Sequence, residues 1–294
     1  MKYSLHLAAG ASVADAISLR DISQLADELG YDTIFSGDHA ILPMKIETAW
    51  PYEEWNEGKP HYDVYTDEPW LDMFTVLTFV AAHTKNVRVG TGVLIVPYRD
   101  PFDVARRLAT IDLLSTGRLV IGCGVGWMEE EFDMLGIPFA KRGKRTDEYI
   151  NAMKTVWTEK NPRIDTEFVT LDRDINPEPL PLQNPHPPFW IGGESKAAVR
   201  RAARLGDGYT CALLTEGQLM PLLDELNREL ERQERDKSEV ELSYFAEASS
   251  LQPDTVKRAD GLGIKNLIYI PLSPNAAGLA KELQEFAKRV QDFG

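Results

Sequence analysis

Residues 2–10 read KYSLHLAAG, a strand that runs into a small-residue turn. The turn after this strand separates two architectures. An open, doubly wound α/β sheet ordinarily begins with G-x-G-x-x-G after its first strand, where a dinucleotide's phosphates sit. Here the strand leads only to Gly10, so that signature is absent. The alternative closure of an alternating chain is a barrel.

Beyond this first strand, covering 3–8, apolar strand-like runs recur at 33–36, 87–96, 119–125, 188–192, 208–213, 240–246 and 266–272. Segments of helical period lie between them. Ile22, Leu25, Ala26 and Leu29 stand at i, i+3, i+4 and i+7, with Ser12 and Asp15 as the capped start. Residues 70–83 place Phe74, Leu77 and Ala81 on one face, with Pro69 near the first turn. Residues 145–158 do the same with Ile150, Met153 and Trp157. Thr215 and Gln218 form a capping box ahead of Leu219, Leu222, Leu223, Leu226 and Leu230. A shorter helix is expected at 253–260. Ser273 and Pro274 open the last helix, which carries Leu279, Leu283, Phe286, Ala287 and Val290 on one face. Strands alternating with helices make a parallel sheet. The fold class is therefore α/β, a (β/α)8 TIM barrel with insertion loops at its C-terminal face, and residues 1–294 form one domain.

Length alone leaves one or two domains open, since closed α/β barrels run to about 250 residues as one unit. Hydrophobic residues make up 43% of the chain and charged residues 27%, enough for a large core in a soluble protein. A net charge of −14, from 32 basic and 46 acidic residues, repels a phosphate backbone and excludes nucleic acid as the expected partner. No apolar run reaches the length of a membrane span, and the lone Lys2 ahead of a strand is no signal peptide. The two cysteines, Cys123 and Cys211, each sit in a strand, which argues against a disulfide. The five histidines show no metal-ligand spacing. A cytoplasmic location without a metal fits these features.

Two stretches exceed a plain barrel. Residues 43–69, rich in Trp, Tyr, Pro and Glu, come after the second strand and so lie at the C-terminal face, where barrel active sites are built. Residues 160–187 are proline-rich, with a short extra strand expected at 167–171.

The strand ends carry the chemistry. The second strand ends in Ser36, Gly37, Asp38 and His39. This acid–imidazole pair either stitches a loop to its neighbours or sits at the mouth of a site. The third, VGTGVLIVPYRDP, holds Gly90 and Gly92 inside a strand, the mark of a bulge, a close approach by a ligand, or tight interior packing. The fourth alternates Gly122, Gly124 and Gly126 before an acidic run, Glu129 to Glu131. Bare backbone there admits a flat ring or a phosphate. The fifth ends in Gly192 and Gly193, and Ser195 caps the next helix, either an anion site or an ordinary turn. The run Lys141, Arg142, Gly143, Lys144, Arg145 is basic in an acidic chain. It either holds anionic groups at the rim or is a solvated helix start paired with Asp147 and Glu148.

The stretches GYDTIFSGDHAILP, the long block from DEPWLDMF through GWMEEEFDMLGIPF, and PPFWIGGESKAAVRRAARLGDGY cover most of residues 30–210 in order. Together they resemble the luciferase-like monooxygenase superfamily, and within it the branch of oxidoreductases dependent on the deazaflavin coenzyme F420. That resemblance implies a barrel with the cofactor at its C-terminal mouth, and a non-proline cis peptide at Gly92–Val93 or Thr91–Gly92 behind the ring. Thr91, Gly92, Val93, Gly124, Val125 and Gly126 would line the ring and ribityl chain. Gly192, Gly193 and Ser195 would take the phosphate. Asp38 and His39 would be catalytic, His39 moving a proton as hydride moves.

The implied activity is hydride transfer between F420 and a small organic substrate, in a homodimer. FMN with monooxygenase chemistry is the alternative. The basic run favours F420, whose anionic tail extends past the phosphate. A glycosidase on the same barrel would need a second acid facing Glu129 to Glu131 across a sugar, and none is evident. A cofactor carrier without catalysis is a third possibility.

Overall fold

The computed structural model describes residues 1–7, 13–51, 69–212, 214–247 and 251–291. Eight parallel strands close into a barrel in the order β1-β10-β9-β8-β7-β4-β3-β2. They are β1 (Lys2–His6), β2 (Thr33–Ser36), β3 (Arg88–Ile95), β4 (Leu119–Gly124), β7 (Phe189–Gly192), β8 (Gly208–Ala212), β9 (Glu241–Glu247) and β10 (Ile264–Ile270). Each matches an expected run to within about two residues, because period-2 apolar runs and their Gly/Pro punctuation are local signals. The extra strand expected at 167–171 is a small hairpin of β5 (Ile164–Asp165) and β6 (Thr170–Leu171).

The α-helices among the described residues are α1 (Ala16–Glu28), α2 (Met73–His83), α3 (Pro101–Leu114), α4 (Glu129–Met134), α5 (Arg142–Thr158), α6 (Lys196–Leu205), α7 (Glu216–Arg232), α8 (Pro253–Gly261) and α9 (Ala276–Gln291). Several starts differ from expectation. Asp15 itself caps α1, accepting the Ile17 and Ser18 amides, while Ser12 lies outside the described residues. Asp72, not Pro69, opens α2. The Asn275 side chain, not Ser273, accepts the Gly278 amide at the start of α9. The expected capping box of Thr215 and Gln218 is present. The helix over 101–114 had a readable signal, Asp100 as cap and then Pro101 in the first turn.

Two cores result. One fills the layer between strands and helices and includes Leu5, Ile34, Val89, Ile121, Leu77 and Leu108. The other plugs the barrel interior with Phe35, Val120, Trp190 and Ile268, with Phe245 against them. Side chains alternate inward and outward along each strand, so His6, Gly92, Gly124, Gly192 and Ala212 form the inward layer above that plug. Cys123 and Cys211 are free and buried, and burial pushes the Cys123 thiol up to about 12. No helix among the described residues is long and apolar enough to cross a membrane.

Candidate active site at the C-terminal mouth

The third strand departs from ideal geometry where the sequence places its glycines. Thr91 pairs with Ile121, but the next paired residues are Leu94 and Cys123, so β3 carries one residue more than β4. This is a bulge, which re-aims side chains beside functional sites. The Gly92–Val93 peptide within it is cis, the first of the two bonds the family resemblance offered. Past the bulge, Leu94 joins the outer core and Val93 turns inward. A Cβ on Gly124 would lie 2.6 Å from a Val93 methyl, and one on Gly192 would lie 3.2 Å from the other. A Cβ on Gly122 would meet the Thr91 carbonyl oxygen at 2.2 Å. The fourth-strand glycines thus first make room for β3's own backbone and for Val93. Thr91 is buried, its hydroxyl donating to the Gly122 carbonyl at 2.7 Å.

Above the plug the inward-facing residues keep part of their surface exposed. His6, Gly92, Val93, Gly192, Ala212 and Phe245 face the interior, yet all are only half-buried. His6 contacts the carbonyl of the cis peptide, Nε2 to Gly92 O at 2.9 Å, and lies edge-on to Phe245. Burial lowers its pKa, against the hydrogen bond to Gly92. The neutral ring therefore donates Nε2–H to that carbonyl. His6 was counted among the histidines but not placed in the site; its signal is the inward position at the end of β1.

Asp38 and His39, adjacent in sequence, take separate tasks. The Asp38 side chain has no exposed surface. Both its oxygens accept from Arg99, at 2.7 and 2.8 Å, and one also accepts the Ile95 amide at 3.0 Å. It locks the end of β2 to the end of β3 and the segment that follows. His39 is 11% exposed at its side chain and lies edge-on to Trp70, with ring centroids 5.1 Å apart. Its Nδ1 lies 2.8 Å from an oxygen of Glu131. Trp70 also packs where a Gly37 side chain would begin, 3.4 Å from the Cβ position, and His6 Nε2 lies 3.8 Å from it. Gly37 thereby brings the two histidines to one rim.

Glu131 lies on α4, within the acidic run Glu129 to Glu131. It is fully buried. It accepts from His39, from the Tyr98 hydroxyl at 2.8 Å, and from the Ala40 and Ile41 amides. Burial opposes its ionisation, but the hydrogen bond and charge of His39, the Ile41 amide and Tyr98 outweigh it and hold the carboxyl below its usual range. Its neighbour Glu130 holds the amides and hydroxyl of 47–48 in the same way. Glu131 thus fastens residues 39–41 and Glu130 fastens 47–48, within the loop expected at 43–69; residues 52–68 lie outside the described residues.

The expected phosphate cradle is partly committed. Gly193, at φ 119°, adopts a backbone that favours glycine. Its amide donates to Thr210 at 3.3 Å and its carbonyl accepts from Tyr209 at 2.9 Å. Ser195 caps α6, accepting the Ala198 amide at 3.1 Å, and Glu194 accepts the Ala212 amide. Val125 and Gly126 are half-buried at the end of β4. The basic run is mostly occupied: Lys141 and Lys144 both bind Glu167 at 2.6 Å, and Arg145 donates to the Pro138 carbonyl. Arg142 differs. Its Nε donates to the Gly126 carbonyl at 2.9 Å and its guanidinium lies 3.7 Å from the Phe139 ring. Among the described residues, its two Nη groups have no hydrogen-bond partner.

These residues stand at the C-terminal mouth of a closed parallel barrel, beside a bulged third strand. The model of the luciferase-like monooxygenase family matches residues 4–255, and the chain belongs to that family. An uncharacterised protein of Mycobacterium tuberculosis is 31% identical over 193 residues, and the match spans 64% of each chain. The F420-dependent glucose-6-phosphate dehydrogenase of Amycolatopsis mediterranei is 29% identical over 247 residues, 79% of this chain and 67% of that one. The FMNH2-dependent dimethylsulfone monooxygenase of Pseudomonas putida is 35% identical over 138 residues, 46% and 38% of the two chains. Among solved structures, an F420-dependent secondary alcohol dehydrogenase superposes with a TM-score of 0.79 over 100% of this chain and 99% of its own, at 14% identity. The family thus has F420-dependent and FMN-dependent members.

Proposed function

We propose that the chain exchanges hydride between coenzyme F420 and a small organic substrate, with His39 exchanging the accompanying proton. The observation that carries the proposal is the half-buried inward layer of Gly92, Val93, Gly192 and Ala212 at the barrel mouth, taken with the His39–Glu131 pair. Its small residues fit a planar ring, which a larger side chain at these positions would displace.

Thr91, Gly92 and Val93 would back the ring, Gly124, Val125 and Gly126 would flank it, and Gly192, Gly193 and Ser195 would face the phosphate, with the Ser195 hydroxyl still able to donate. When bound, the deazaflavin supplies a carbon that takes up or returns hydride. The chain's own residues manage the proton. A hydride leaving a carbinol carbon takes both electrons of the C–H bond. The hydroxyl proton departs separately to His39, and a carbonyl remains; reversal returns both. Asp38 acts from beneath, fixing the strand end that carries His39.

F420 is preferred to FMN on two grounds. The F420-dependent relative matches 79% of the chain, against 46% for the FMNH2-dependent one. Arg142 also offers unused donors at the rim to an anionic tail. The higher identity of the shorter match supports FMN-dependent oxygenation as the second reading. The proposal extends to a homodimer, as the family resemblance implies, and to a cytoplasmic location, from the composition. Separate titrations of the purified protein with F420 and FMN, monitored by absorbance, test it. Micromolar binding of F420 with reduction by an alcohol is expected; micromolar affinity for FMN alone overturns it.

A further inference from the structure

His6 shares the inward layer at the barrel mouth with Gly92, Val93, Gly192, Ala212 and Phe245, none of which carries a polar side chain. Its ring is held by one edge. Nε2 lies 2.9 Å from the Gly92 carbonyl oxygen, and the adjoining Cδ2 lies 3.2 Å from where a Gly92 Cβ would begin. Nδ1 is on the other edge of the ring. Among the described residues it has no hydrogen-bond partner, and the Phe245 ring, edge-on with centroids 5.4 Å apart, offers it none.

The tautomer follows from the partner. A carbonyl oxygen only accepts, so Nε2 carries the proton, and the second nitrogen of a neutral imidazole is then an acceptor. Burial holds the ring below its usual pKa against the Gly92 hydrogen bond, and no charged group contributes. Nδ1 therefore presents a lone pair at neutral pH. The side chain is only half-buried, and a ligand filling the mouth would take the rest of its surface from water. An acceptor sealed in without a donor is costly. A site built to hydrogen-bond one group rejects the analogue that lacks it.

We propose that His6 is a specificity-determining residue, whose Nε2–H fixes the ring on Gly92 while its Nδ1 lone pair accepts a hydrogen bond from an N–H or O–H of the ligand in the mouth. The identity of that ligand rests on the function proposed above. F420 and FMN each carry an imide N–H in the ring, and an alcohol substrate carries a hydroxyl. Either group is such a donor. A role confined to bracing β3 would use Nε2 alone.

The test is the side-chain 15N spectrum of the full-length protein above about pH 7, with the His6 signals identified by their loss in His6→Gln or His6→Asn. The apo protein is expected to show a protonated Nε2 and an unprotonated Nδ1. F420 and, in parallel, FMN are then added. If the imide is the donor, Nδ1 moves toward the range of a hydrogen-bonded acceptor while Nε2 stays in place. If the hydroxyl is the donor, Nδ1 moves only when tert-butanol joins bound F420. That alcohol has no hydrogen on its carbinol carbon and so cannot give up hydride.

The two substitutions separate the two nitrogens. In His6→Gln the terminal amide can still donate to Gly92 but leaves no acceptor at the Nδ1 position. In His6→Asn the shorter amide can place its carbonyl near that position, while the bond to Gly92 is lost. Affinity for the ligand that moves Nδ1, read by F420 fluorescence, is expected to fall about tenfold in His6→Gln and less than about threefold in His6→Asn. An Nδ1–H tautomer in the apo protein overturns the proposal, as does an Nδ1 signal unmoved by F420, FMN and the alcohol. Equal losses of affinity in the two variants also overturn it, since they leave only the bracing of β3. If Nδ1 responds to FMN while F420 does not bind, the proposed function falls and the role of His6 stands.

Discussion

Arg99 grips both oxygens of Asp38, at 2.7 and 2.8 Å, beneath the rim on which His39 stands. The pair ties the end of β2 to the segment after β3. The adjacent residue is thereby held in place without its neighbour touching substrate.

Asp38→Asn is therefore expected to act on stability before chemistry. Leaving a largely buried guanidinium without its carboxylate costs about 3 kcal/mol, visible as a lower urea midpoint. Removing the exposed Arg163–Asp174 pair with Asp174→Asn should change stability by less than about 0.5 kcal/mol. Equal effects from the two substitutions would contradict the anchoring role.

The acid limb of stability should report Glu131. Its folded pKa is lowered, so it contributes stability at pH above the unfolded value of about 4.3, and that contribution is lost as pH falls through the folded value. Urea unfolding at successive pH values is expected to show wild type and Glu131→Gln far apart at neutral pH and converging below about pH 4.

His6 obeys the same sign for a different reason. Burial favours its neutral form and lowers its folded pKa below 6.5. The unfolded chain then binds more protons, and stability falls as pH drops below about 6.5. A proton NMR titration should find the His6 midpoint below that of a free imidazole. A midpoint above it would show a barrel mouth wetter than the structure describes.

Gly122→Ala tests whether the fourth-strand glycines serve the bulge. Its Cβ would lie 2.2 Å from the backbone oxygen of Thr91, which cannot rotate away. A loss of about 3 kcal/mol is expected, measured by thermal or urea unfolding of the apo protein. Gly217→Ala, where a Cβ would meet open space, should leave stability unchanged or improve it slightly.

Arg142→Ala separates the rim arginine from the rest of the basic run. Loss of a charge-assisted contact to an anionic tail should weaken F420 about tenfold or more. Lys141→Ala and Lys144→Ala, whose ammonium groups are already bound to Glu167, should change it little. Fluorescence titration of the three variants decides between them.

The alternation of strands and helices and the closure of the barrel were legible in the order of amino acids. Those features are written in periods of two and 3.6 residues and in local Gly, Pro and Asp signals, which need no knowledge of distant contacts. Even α3, absent from the expected helices, announces itself through Asp100 and Pro101. Which groups meet was settled only by folding in three dimensions. His39 and Glu131 are 92 residues apart, and three consecutive glutamates look alike until the barrel sets one against an imidazole, one against the backbone of 47–48 and leaves one exposed. Asp38 and His39 are neighbours in sequence. Strand geometry sends the two side chains different ways, and only closure of the barrel brings Arg99 to the first and Glu131 to the second.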